Sequence, residues 1–305
     1  MRVLFIFLDG IGLGENNQEI NPFANALMPN LNALLEGRSF FKESAPFFGE
    51  RATLLAIDPA VGVEGLPQSA TGQAMLLTGI NIPAEIGYHY GPKPNPEVAA
   101  YLKNGTLFSR FSMAGKESTL LNAYPPRYFD GIDSGKRLYS SIPLAVTNAG
   151  LPLFKEDALY AGNAVSADFT GEGWHTMLGY PDAPVLNARQ AGQKLAELSR
   201  QYFFSLFEYW ASDYAGHKQD METAVGLMET FDGVLGGLID AWDDDRLILV
   251  TSDHGNMEDL STRRHTDAHV PALVIGNKDA REEFTKGMSD LTHIAPAIWD
   301  AVMRS

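Results

Sequence analysis

Five separate stretches of this chain carry groups able to do chemistry. Asp253 and His254 stand side by side after the apolar run Leu247-Ile-Leu-Val250, and Gly255 lets the backbone turn sharply behind them. Asp213 and His217 are four residues apart, a spacing that meets on one face if the segment is helical and that a loop can also bring together. Asp9 ends the apolar run Val3–Leu8, His265 stands ahead of the apolar run 271–275, and Ser69 opens a helical pattern. Imidazole and carboxylate donors without sulfur suit Mn²⁺ or Zn²⁺. A serine hydroxyl is a poor nucleophile at neutral pH, and coordination to a dication favours its alkoxide. Each group also has a plainer reading. Asp-His-Gly can be a polar turn capping a strand, Asp213 and His217 an exposed turn, His265 a structural histidine, and Ser69 a helix cap.

The elements that must position these groups alternate between strand and helix. Leu247–Val250 is an unbroken apolar run, as expected of a strand covered on both faces in a parallel sheet, and Val3–Leu8 reads as another. Pro67 stops what precedes it, Ser69 is expected to cap, and Ala74–Leu77 continues a helix that ends at Gly79. Free N–H groups and the dipole at that helix start favour an alkoxide or a bound phosphate. Further helices are expected at 29–35, 97–103, 107–111, 187–198, 221–242 and 291–303, with strands at 115–124, 202–209 and 271–275. Gly10-Ile-Gly12-Leu-Gly14 invites comparison with a dinucleotide fingerprint, but the sixth position is Glu15 and Asp9 precedes the first glycine. Both carboxylates would oppose a pyrophosphate. The pattern predicts an α/β fold: a three-layer sandwich with a mostly parallel central sheet, helices on both faces and a small insert. Residues 1–305 are expected to form one such domain. Within it, 125–182 is dense in turn formers and reads as an insert or lid carrying Arg127, Lys136, Arg137, Asp168 and Trp174.

Composition narrows the partners. Acidic residues outnumber basic ones 38 to 23, and a surface of that sign repels a phosphate backbone, so nucleic acid is not expected to bind. An anionic substrate would need concentrated positive charge, which bound divalent cations supply. With no cysteine, thiolate zinc sites and disulfides are excluded, and a cytoplasmic location is the expectation. The six apolar residues before Asp9 are too few for a signal peptide or a span, and no membrane partner is expected. Nothing in the sequence sets the oligomeric state.

The order and spacing of these stretches resemble the alkaline phosphatase superfamily, and within it the branch of cofactor-independent phosphoglycerate mutase and phosphopentomutase. The matching segments are Phe7-Leu-Asp-Gly-Ile-Gly12, Gln68-Ser-Ala-Thr-Gly72, Asp213-Tyr-Ala-Gly-His217, Asp253-His-Gly-Asn-Met-Glu258 and His265-Thr-Asp-Ala-His-Val-Pro271. The resemblance implies two divalent metal ions, Mn²⁺ or Zn²⁺. Asp213, His217 and His265 would hold one; Asp9, Asp253 and His254 would hold the other, with Ser69 the nucleophile bound to the second ion. Thr71, two positions along, is the reserve nucleophile. Where mutases of this branch have Asn or Asp before the nucleophile and His after the glycine, this chain has Gln68 and Gln73. The insert is also far shorter than the mutases' second domain, with Arg127 and Arg137 the substrate-gripping candidates. The implied activity is phosphoryl transfer on a small phosphorylated metabolite through a phosphoserine, as a phosphatase or phosphomutase. The alternatives are a phosphodiesterase and a metal-binding member without turnover.

Overall fold

The computed structural model describes every residue except 244 and 305. Its main sheet has seven strands: β1 (Arg2–Leu8), β2 (Phe47–Phe48), β3 (Ala52–Ile57), β4 (Ser118–Leu120), β7 (Phe204–Tyr209), β8 (Arg246–Thr251) and β9 (Val270–Ile275). They lie in the order β2-β3-β9-β8-β1-β7-β4, while β5 (Asn122–Ala123) and β6 (Val165–Ser166) pair separately. The stretch β8-β1-β7-β4 is parallel. The other edge, β9, β3 and β2, is antiparallel. The expected mixed α/β architecture with a parallel core is therefore present, and the antiparallel edge is an addition to it.

β1 shows why the layers form. Leu4, Ile6 and Leu8 point into one apolar cluster, shared with the helices Ala188–Ser199 and Met221–Asp240. Val3, Phe5 and Phe7 point into another, shared with Ser69–Thr78, Leu107–Met113 and Ile294–Met303. An apolar residue at every position from Val3 to Leu8 suits a strand whose two faces are both covered. Behind the first face, Gly192 and Gly237 let two helices touch backbone to backbone; an added Cβ at Gly192 would run into the Val234 carbonyl.

Three local expectations change. The strand expected at 115–124 breaks at Leu121, so Ser118–Leu120 joins the main sheet and Asn122–Ala123 the small one. β3 carried no signal strong enough to be predicted. Within 125–182 four helices form, Pro126–Asp133, Ser141–Asn148, Glu156–Tyr160 and Glu172–Thr176. None exceeds eight residues, too few turns for a helical period to stand out among glycines and prolines. Trp174 is buried there with Ala123, Leu159, Ala164 and Ala183. Asp168 accepts the N–H groups of Gly171 (2.9 Å) and Gly173 (2.6 Å), so that carboxylate serves the turn.

Candidate metal centre and nucleophile

Parallel strands bring the acids together. Asp9 follows β1, Asp253 follows β8, and Asp213 lies in the first turn of the helix Ala211–Lys218 after β7. These three strands are neighbours, so their carboxyl ends open on one crevice. His265 arrives differently. Because β9 runs antiparallel to β8, its first residue lies at the same end of the sheet, and the returning loop carries His265 to the crevice. Gly10, at φ +69°, makes the close approach possible, since an added Cβ would lie 2.7 Å from Asp213 Oδ1.

Two groups of donor atoms result. Ligand atoms of Asp213, His217 and His265 lie within 4.8 Å of one another, and so do those of Asp9, Asp213 and His254. His217 Nε2 is 3.3 Å from Asp213 Oδ2 and His265 Nε2 is 3.7 Å from Asp213 Oδ1. His254 Nε2 is 3.4 Å from Asp9 Oδ1 and 3.6 Å from Asp253 Oδ1. The other ring nitrogens are engaged: His217 Nδ1 donates to the Arg263 carbonyl (2.7 Å) and His265 Nδ1 to that of Pro67 (2.8 Å). That tautomer leaves each Nε2 lone pair facing the carboxylates, a repulsive arrangement unless a cation or proton lies between. Asp9 Oδ1 and Asp253 Oδ2 are buried with no hydrogen-bond partner. The donor set therefore fits divalent cations by chemistry as well as position, and Asp213 belongs to both groups.

The electrostatics agree. Burial, then the charges of Asp253 and Asp213, push Asp9 well above the usual carboxylate range; burial and Asp213 do the same to Asp253. Burial acts upward on Asp213 too, but its hydrogen bond with His217 and the surrounding imidazoles bring it down to about 2. Burial lowers His254 to about 3, with His265 adding to the effect, so its ring is neutral at physiological pH. Three carboxylates this close cannot all hold charge without a countercharge, and Asp213 is the one that keeps it.

Ser69 corrects the expectation for its helix. The N-cap of Ser69–Thr78 is Gln68, and Ser69 is the first helical residue. Its hydroxyl is therefore not spent on capping and lies 3.0 Å from His254 Nε2. With His254 Nδ1 facing the Gly255 carbonyl at 3.3 Å, Nε2 is the acceptor and Ser69 the donor. Gly72 brings this helix against the end of β8; a Cβ there would lie 2.7 Å from Asp253 Cβ. Thr71 has no such freedom. Its hydroxyl donates to the Gln68 and Tyr90 carbonyls and accepts from Tyr90 N–H.

Arg127 and Arg137 are exposed at a cleft of about 620 Å³ whose lining includes Asp9, Ser69 and Asp213. Lys93 lines the same cleft, and the Arg137 guanidinium lies 5.1 Å from the centre of the Tyr128 ring. Several contributors were not legible in the sequence. Asn256 Nδ2 donates to Asp213 Oδ1 (2.7 Å). Glu258, given no role from its place in the 253–258 motif, accepts from Gly12 N (2.9 Å), Asn256 N (2.8 Å) and the Thr266 hydroxyl. It thus ties together the three loops that carry Asp9, His254 and His265. Glu208, inside β7, also lines the cleft.

Glu208 gives a measurable pH effect. Burial raises its carboxyl to about 7, with the Tyr124 hydrogen bond acting the other way. A raised carboxyl favours the fold while protonated, so this contribution is full below about pH 4.5 and is lost as pH rises through about 7. In metal-free protein, Glu208→Gln is expected to reduce the stability lost between pH 5 and 8 by on the order of 3 kcal/mol, read from urea midpoints. Identical pH slopes in the two proteins would exclude this assignment.

The fold and the convergent donors define a class: an α/β protein with a metal-type cage at the carboxyl ends of its parallel strands. A family model described as "Metalloenzyme superfamily" matches residues 159–304. The 2,3-bisphosphoglycerate-independent phosphoglycerate mutase of Moorella thermoacetica is 27% identical over 128 residues, covering 40% of this chain and 25% of that protein. The phosphopentomutase of Hahella chejuensis is 27% identical over 120 residues, covering 39% and 28%. The matched segments thus span about a quarter of the length of these curated relatives. Among solved structures, the alkaline phosphatase of the Antarctic bacterium TAB5 shares the fold with a TM-score of 0.56 at 12% identity, over 99% of this chain and 97% of that one. Leishmania mexicana phosphoglycerate mutase gives 0.52 at 12% identity, over 99% and 95%. The resemblance to the alkaline phosphatase superfamily, through its phosphoglycerate mutase and phosphopentomutase branch in sequence, is borne out. Among the described residues, no helix is long and apolar enough to cross a membrane.

Proposed function

We propose that this chain is a two-metal phosphoryl-transfer enzyme, a phosphatase or phosphomutase, acting on a small phosphorylated metabolite through a phosphoserine at Ser69. Asp213, His217 and His265 would hold one divalent cation, and Asp9, Asp253 and His254 the other, Mn²⁺ or Zn²⁺, with the Asp213 carboxylate within reach of both. Bound cations supply Lewis acidity, favouring the serine alkoxide and neutralising charge on the phosphoryl oxygens. The chain's own groups do the rest. The start of the helix Ser69–Thr78 turns its positive dipole end toward the phosphoryl group. Ser69 Oγ loses its proton to water and forms a bond to phosphorus as the ester oxygen departs with the electron pair of the broken P–O bond and takes up a proton from water. Water then attacks the phosphoserine and releases phosphate, or an acceptor hydroxyl takes the phosphoryl group. Residues 125–182 form an insert of the single domain 1–305, and Arg127 and Arg137 meet the anionic substrate at the rim.

One observation carries this reading: Ser69 Oγ lies 3.0 Å from His254 Nε2, whose ring belongs to a cluster of three convergent donors. The test is cleavage of 4-nitrophenyl phosphate. Activity is expected to vanish on exhaustive chelation and to return with Mn²⁺ or Zn²⁺; chelator-insensitive turnover, or bound metal with no cleavage of any phosphate ester, would refute it.

A further inference from the structure

The inner wall of the cleft carries polar groups that the phosphoryl chemistry does not use. All of β7 is buried, and Glu208 is its one carboxylate. Asn122 clamps the backbone there, accepting Glu208 N–H and donating to its carbonyl, both at 2.8 Å. The side chain of Glu208 is far less well served, with one long contact from the Tyr124 hydroxyl at 3.4 Å. Beside it the Tyr128 hydroxyl is buried with no partner, the rings of Tyr124 and Tyr128 being 4.5 Å apart. Glu208 and Tyr128 are each 8% exposed, and both line the cleft that holds Ser69 and Asp9. A buried polar group left unpaired is costly, and groups so placed at a cavity wall fix the orientation of a ligand.

We infer that Glu208, with the hydroxyls of Tyr124 and Tyr128, is a specificity subsite that receives a hydroxyl on the organic part of the phosphate ester. A carboxylate accepts and a phenol both donates and accepts, which matches a hydroxyl's own two roles. An ammonium group would also suit a carboxylate, but it would have to pass Lys93, Arg127 and Arg137, which line the same cleft. The walls add Trp174 and Trp210, and about 620 Å³ lies within the roughly 300–1,000 Å³ of drug-sized ligand sites. The subsite thus suits an ester with an apolar face beyond its hydroxyls.

This inference rests on the phosphoryl-transfer reading and is tested by a ratio. In wild-type protein, kcat/KM for uridine 5′-monophosphate and glycerol phosphate is compared with that for phenyl phosphate, which has no donor beyond its ester. Glu208→Leu is expected to lower that ratio at least tenfold, and Glu208→Gln, whose amide oxygen still accepts, to restore part of it. Tyr128→Phe is expected to lower the ratio severalfold without lowering Tm, because it removes an unpaired hydroxyl. Unchanged ratios in all three variants, or a preference of the wild type for phosphoethanolamine, would overturn the subsite. Binding of unphosphorylated uridine, followed by the fluorescence of Trp174 and Trp210, separates the two claims. If no ester is cleaved yet uridine binds in wild type and not in Glu208→Leu, the phosphoryl-transfer reading fails and the subsite stands. If phenyl phosphate is cleaved but uridine binds equally to both proteins, the subsite fails alone.

Discussion

Asp213→Asn is expected to remove cation binding from both halves of the cage and to lower kcat/KM on 4-nitrophenyl phosphate by about 10³-fold or more, roughly 4 kcal/mol of transition-state stabilisation. The reason is geometric: Asp213 is the one residue common to both donor clusters. It is also the carboxylate that the imidazoles hold charged, while Asp9 and Asp253 are pushed toward their neutral forms. Asparagine keeps the shape, and its carbonyl can still accept from Asn256, as Asp213 Oδ1 does at 2.7 Å. The loss would therefore report charge and ligation rather than packing. His217→Ala is the control, because it touches one cluster only. Elemental analysis after dialysis should show a larger metal loss in Asp213→Asn than in His217→Ala. Equal losses would show that the carboxylate is not shared.

Ser69→Ala is expected to lower turnover by roughly 10⁴- to 10⁶-fold, the range seen when a nucleophile is deleted, while the metal content stays that of the wild type. Deleting a serine at a helix start often removes a cap and weakens the fold. Here Gln68 occupies the N-cap, so alanine at position 69 leaves the helix end as it was. Circular dichroism melts should then overlay with those of the wild type. Residual activity within tenfold of wild type would assign the attack to another group. Thr71 is poorly placed to take over, since Tyr90 and Gln68 occupy its hydroxyl.

What could be read from the sequence depended on whether a residue's neighbours were close in the chain. Asp9, Asp253 and His254 each follow an apolar run, and the end of a buried strand is where functional groups collect, so their position announced them. The spacing of Asp213 and His217 left open a helix or a loop, and the structure has them on one helix, Ala211–Lys218. Asn256 and Glu258 were harder because their partners, Asp213 and Gly12, are distant in the chain. Glu208 drew no reading of its own, being a lone acid in an aromatic strand whose orientation depends on which face meets the cleft. The free hydroxyl of Ser69 turned on a one-residue difference in where the helix begins, finer than propensity resolves. The antiparallel edge went unseen because apolar runs specify burial, not direction.

The placement of β1 also bears on how the molecule comes into being. Its ladder joins Val3 to Phe204 on one side and to Leu247 on the other. β1 is therefore an interior strand made about two hundred residues ahead of either of the strands that flank it. Through that interval Val-Leu-Phe-Ile-Phe-Leu has both edges open, the condition under which nascent chains associate wrongly. High contact order of this kind makes folding slow, so ribosome-bound chains halted before Thr251 would be the ones most in need of a chaperone.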